Sequence, residues 1–155
     1  MLNDSGADIV TTMMDYYALP NSFPGKEDVQ GDNCFERVRY LERAWAEDIH
    51  HRKFLPYLQL HEFESILFTS PSEMANVFPE KQDINRELEY IRKKFGNPEE
   101  INDNPDTNPS SRIMKIVPGY QKVFHGPLIA GRIGLEKIKN ECRHFSDWIN
   151  RLKVL

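Results

Sequence analysis

The sequence predicts an α/β fold: a partial parallel sheet built on one βαβ unit, followed by a predominantly helical C-terminal half. Three observations carry that expectation. ADIVTTMM (7–14) and FLPYLQL (54–60) are short apolar runs of strand length. FERVRYLERAWAEDI, between them, is amphipathic with helical spacing. After residue 61 the apolar residues recur at helical intervals nearly to the C-terminus.

The first run is β-branched and leads into DYYALPNSFPG, so it reads as a strand entering a Pro/Gly loop. The helix that follows sets Phe35, Val38, Leu41 and Trp45 on one face. With the second run it completes strand–helix–strand, a unit expected to be parallel and right-handed. Both strands read as buried on both faces, and each therefore requires neighbours. Because the chain starts almost on its first strand, a preceding strand–helix segment is expected to be missing.

EFESILF and PSEMANVF predict two short helices. DINRELEYIRKKFG aligns Ile84, Leu88, Ile91 and Phe95, with Gly96 as a C-terminal stop. NPEEINDNPDTNPSS predicts a polar surface loop with one helical turn. The remainder predicts short helices broken at Pro118-Gly119, Gly126-Pro127 and Gly134. The expected organisation is one domain, 1–155, with an acidic α/β part (1–109) and a basic helical part (110–155).

At 39% hydrophobic and 28% charged, the 155 residues are those of a soluble globular chain. No apolar run approaches the ~20 residues that span a bilayer, and MLNDSGAD has no signal-peptide pattern. A cytoplasmic protein with no membrane association is expected. Cys34 and Cys142 stand alone, read as free thiols, and form neither a disulfide framework nor a zinc motif. Residues 1–109 carry 11 Lys/Arg against 21 Asp/Glu, whereas 110–155 carry 9 against 3. The basic third either attracts phosphate or an acidic partner, or neutralises the acidic part of the same chain.

In an open parallel sheet, function gathers outside the carboxyl ends of the strands. Asp15 follows the first strand, and His61, Glu62 and Glu64 follow the second. Asp15 with Glu62 or Glu64 would suit Mg²⁺, a hard cation that prefers oxygen ligands, and such a site would polarise a phosphate for attack. Structural roles compete: Asp15 as a turn cap, and the glutamates as first-turn residues favoured by the helix dipole. A helix starting near His61 would turn Glu62 and Glu64 to different sides. No second His stands four residues after His61, so the zinc-protease motif is absent. His50 and His51 lie at the opposite end of the second strand and read as loop residues. His125 is expected at a helix end, and Arg112, Lys115, Lys122 and His125 would form a weak anion-binding rim.

VTTMMDYYALP, YLQLHEFESILF, FGNPEEIND, PSSRIMKIVPGYQKVFHGP and IGLEKIKNECRHFSDW, in that order, resemble the bacterial domain-of-unknown-function family 4276 over nearly the whole chain. The resemblance implies a Toprim-like parallel α/β domain, of the kind that binds Mg²⁺ for phosphoryl transfer on nucleic acid. It also implies an ATP-binding-cassette-type ATPase as partner and a place in bacterial phage defence. By that resemblance Asp15, Glu62 and Glu64 would hold Mg²⁺. His61, Glu62 and Glu64 would form the catalytic motif; apart from the resemblance, the basic rim residues Arg112, Lys115 and Lys122 are the candidates to contact nucleic acid. Family members commonly open with a strand ending in Glu-Gly-x-Ser/Thr-Glu. This sequence lacks it, so an N-terminally truncated or degenerate member without the principal Toprim glutamate is expected. The alternatives are a non-catalytic regulatory partner of an ATPase, or an inert fragment.

Overall fold

The computed structural model describes residues 6, 8–81, 83–101 and 107–154. Its architecture is mixed α/β, with two short parallel two-stranded sheets and a helical C-terminal half. Contacts divide the chain into two compact units, residues 1–60 with 147–155, and residues 61–146.

In the first unit, β1 (Val10–Thr11) pairs with β3 (Phe54–Leu55), and β2 (Met14–Asp15) pairs with β4 (Leu58–Gln59), all parallel. Both ladders share one register, Val10 opposite Phe54 and Met14 opposite Leu58, a constant offset of 44. They are therefore one parallel ribbon interrupted in its middle. Pro56 causes the break, since it has no N–H to give the ladder. Thr12 spans the gap with its side chain: Tyr57 N–H donates to Thr12 Oγ1 at 3.1 Å, and the Thr12 hydroxyl donates to the Tyr57 carbonyl at 3.3 Å.

The two strands differ in burial, contrary to the expectation that both are enclosed. Residues 55–60 are buried, while Met13 and Met14 are 40% and 41% exposed. Among the described residues the first strand pairs with the second alone. The second strand has further cover. Glu42 accepts the Leu58 N–H at 2.8 Å, which satisfies a backbone group through a helix side chain rather than a third strand.

The crossover is α1 (Cys34–Ile49), started by Asn33, whose side chain accepts the Glu36 N–H. His50 ends it in the left-handed region. Val38 and Leu41 are wholly buried with Leu19, Phe23, Leu58 and Leu60, and Phe35 and Trp45 pack partly buried against them. Trp45 meets Phe23 and Phe54 edge-on. The expected apolar face is thus the face that holds the helix to the ribbon. Trp148 stacks on Tyr57 with ring centroids 4.3 Å apart, and its indole N–H donates to Thr11 Oγ1.

The second unit consists of short helices: α2 (Glu64–Leu67), α3 (Pro71–Ala75), α4 (Ile84–Arg92), α5 (Pro109–Ile116), α6 (Lys122–Ile133) and α7 (Leu135–Glu141). The last helix, α8 (Arg143–Lys153), begins in this unit. The expected turn in the polar loop is a 3₁₀ turn at Pro98–Glu100 with a capping box between Asn97 and Glu100. Residues 102–106 of that loop lie outside the described residues.

Two of the three expected helix breaks occur, at Pro118-Gly119 and at Gly134, where both glycines have positive φ. The third does not, because α6 runs through Gly126-Pro127. Proline disfavours a helical residue before it partly by a clash with that residue's Cβ, and Gly126 has none. The same glycine allows a close approach, since a Cβ there would lie 3.2 Å from the Phe63 ring and 3.4 Å from the Tyr120 hydroxyl.

Candidate functional site

YLQL and HEFE belong to different units, and the division falls between Leu60 and His61. His61 is buried and adopts a positive φ of 59°, an uncommon conformation for a residue with a Cβ. This turn separates the strand residues from α2. Only Glu64 lies within that four-residue helix, and Glu62 precedes it. The helical spacing expected to turn the two glutamates apart therefore does not apply, and they converge on one cation.

The Lys122 ammonium lies 3.2 Å from Glu62 Oε1 and 3.9 Å from Glu64 Oε2. The carboxylates are almost inaccessible, at 6% and 3% side-chain exposure, whereas the lysine side chain is 45% exposed. Glu62 Oε2 accepts the Ser110 N–H at 3.0 Å. That group belongs to the first turn of α5, whose N-terminal N–H groups have no partner within the helix. Pro109, ahead of it, has no N–H, and Asn108 caps the same turn by accepting from Ser111. Glu62 is thus held where the helix dipole favours an anion.

Glu64 Oε1 accepts from the Tyr120 hydroxyl at 3.4 Å. Burial, with the nearby charges of Glu64 and Glu62, pushes that hydroxyl well above the usual phenol range and keeps it a donor. Lys122 stands at the first position of α6, where a cation opposes the helix dipole. Its pairing with the two carboxylates offsets that disadvantage.

The other candidates have surroundings of their own. Asp15 ends β2 in the first unit, opposite Gln59, and makes no capping bond to the following turn Tyr16–Ala18. Arg112 is tied to its own chain, donating to the Thr107 carbonyl and lying over the Phe95 ring, and partial burial lowers its pKa. Lys115 is exposed on α5. His125 lies in the first turn of α6 rather than at the C-terminal helix end where a cation suits the dipole. It sits inside α6, where its Nδ1 accepts the Gln121 N–H, and its ring packs among Phe78, Tyr120 and Phe124. His51 accepts from Lys53 N–H beside His50, as a loop residue would.

Sequence reasoning passed over Tyr120 and Ser110, which orient the two carboxylates. It also passed over Glu99, a wholly buried carboxylate that accepts the N–H groups of His144 and Phe145 at the start of α8. Chain separations of 45 to 56 residues leave no local signal for these pairs.

Among the described residues no three His, Cys, Asp or Glu side chains gather into a metal-holding group. Mg²⁺, however, is commonly held through one or two carboxylates, with water and substrate phosphate completing its shell. Glu62 and Glu64 supply hard oxygen donors, and the Lys122 ammonium stands between them in a cation's position. In donor chemistry the pair fits that ion. No helix among the described residues is long and apolar enough to cross a membrane.

A family model described as Domain of unknown function (DUF4276) matches residues 1–153. No curated protein and no solved structure in the comparisons matches the chain.

Proposed function

The chain belongs to the DUF4276 family, and on that premise we propose that it is a cytoplasmic, Toprim-like, Mg²⁺-dependent domain that processes nucleic acid, acting with an ATPase in phage defence. The observation that carries this reading is the buried carboxylate pair facing a single, half-exposed cation. In this reading Glu62 and Glu64 hold the metal, which when bound supplies charge to polarise a phosphate. The Ser110 N–H and the Tyr120 hydroxyl keep the carboxylates aimed. His61, at the strained turn before them, positions the motif. Lys115, Lys122 and Arg112 supply positive charge for a phosphate backbone. Asp15 enters the metal set through the family resemblance.

The test is cleavage of single- and double-stranded DNA and RNA with Mg²⁺ or Mn²⁺, comparing wild type with E62Q, E64Q and D15N. The expected result is metal-dependent cleavage that falls at least about 100-fold in E62Q and E64Q, a loss of catalytic electrostatics. Absence of metal-dependent cleavage by folded wild-type protein would refute the reading.

A second reading, a non-catalytic regulatory partner of an ATP-binding-cassette-type ATPase, is favoured by one surface. Val123, Phe124, Pro127, Leu128 and Gly131 share one side of α6 by helical spacing. All five are exposed, Val123 at 92% and Phe124 at 64%, and none is charged. An uncharged exposed stripe of this kind marks an interaction surface. F124E would then abolish binding to the purified ATPase while leaving metal-dependent cleavage, if present, intact.

A further inference from the structure

The same lysine that completes the cluster also obstructs it. Glu62 Oε1 and Glu64 Oε2 both face the Lys122 ammonium, and their remaining oxygens, Glu62 Oε2 and Glu64 Oε1, take the Ser110 N–H and the Tyr120 hydroxyl. A divalent cation drawn to the oxygens that face inward would meet a positive charge already there. Two like charges at one site repel strongly when the surroundings are largely dry.

The lysine is the exposed member of the group. The carboxylates are enclosed and anchored by hydrogen bonds, while the Lys122 side chain is 45% exposed. It also stands at the first position of α6, adjacent to the non-helical residue Gln121. A flexible four-carbon stem at that place can carry its ammonium into water.

Accordingly, and resting on the metal reading above, we infer that Lys122 is a displaceable counter-cation. It holds Glu62 and Glu64 together in the metal-free protein and must leave them for a divalent ion to bind. The lysine thereby sets a threshold: the site exchanges one cation for another and is never left as two bare buried carboxylates. Metal affinity is weakened by the competition, and metal-free stability is gained from it.

Titration calorimetry with Mn²⁺ alone, together with thermal melting in EDTA and in Mn²⁺, tests this on the full chain. K122M should melt below wild type in EDTA, gain more in melting temperature from Mn²⁺, and bind Mn²⁺ at least tenfold tighter. K122R keeps a cation and should remain at or below wild-type affinity. If K122M folds poorly without metal, K122Q repeats the comparison with a neutral side chain that can still donate a hydrogen bond. Equal Mn²⁺ affinity in wild type, K122M and K122Q would overturn the displacement while leaving the metal site standing. Absence of Mn²⁺ binding in all of them would overturn both.

Discussion

The unit of residues 1–60 and 147–155 buries Leu19, Phe23, Val38, Leu41, Leu55, Tyr57, Leu58 and Leu60, with Gln59 as its single buried polar residue among those described. The unit of residues 61–146 buries its own leucines and isoleucines, but with them Glu62, Glu64, Glu99, His61, His144 and several hydroxyl groups. One unit is specified mainly by apolar area removed from water. The other relies in addition on carboxylates that are costly to bury unless each is hydrogen-bonded or paired. The difference teaches where chemistry can be stored: a polar core holds carboxyl groups in place because the fold has already given them partners.

Leu41 and Glu99 give the largest test of that contrast. L41A should cost about 2–5 kcal/mol through lost burial and a residual cavity. E99A should cost about 3 kcal/mol although it removes little apolar surface, because the His144 and Phe145 N–H groups would lose their buried acceptor. Chemical denaturation measures both. An E99A variant as stable as wild type would break the contrast.

Alkaline titration is the next test. Burial pushes the Cys142 thiol up to about 12 and raises Tyr120 above its usual range. Both groups keep their protons in the folded chain after the unfolded chain has lost them, so the unfolded state binds fewer protons there and stability falls as pH rises. The loss should begin near pH 9, the ordinary thiol value, and continue toward 12. Denaturation midpoints measured across that range should decline less in C142A and Y120F. Wild-type stability that does not change with pH there would count against a buried polar core in this unit.

The smallest effect concerns the ribbon. T12V keeps the side-chain volume but removes both hydrogen bonds across the Pro56 break, and should cost about 1–2 kcal/mol. Amide exchange at Tyr57 should quicken in the same variant. Unchanged exchange would mean that the two ladders hold without the threonine.

These contrasts also explain what the sequence could reveal. The apolar face of α1 and the parallel pairing of the two strand segments were legible, because both follow from spacing and from crossover geometry. The interruption of the ribbon was missed, because FLPYLQL reads as one strand despite Pro56, and the Thr12 bridge joins residues 45 apart with no local pattern. HEFE was legible as a seam. The convergence of Glu62 and Glu64 was not, since it depends on Glu62 lying outside a four-residue helix and on Lys122, 60 residues later. The passage of α6 through Pro127 was hidden for another reason: Gly126 is both a nominal helix breaker and the residue that relieves the proline's clash.

The central claim is that Glu62 and Glu64 form a cation site that Lys122 fills until a metal replaces it. Anomalous diffraction from crystals grown with Mn²⁺ addresses it most directly. The account predicts a manganese peak bonded to oxygens of Glu62 and Glu64 at about 2.1 Å, typical of a small divalent ion, with the Lys122 ammonium swung out of the pair. No peak at these carboxylates, with Lys122 still 3.2 Å from Glu62, would contradict it.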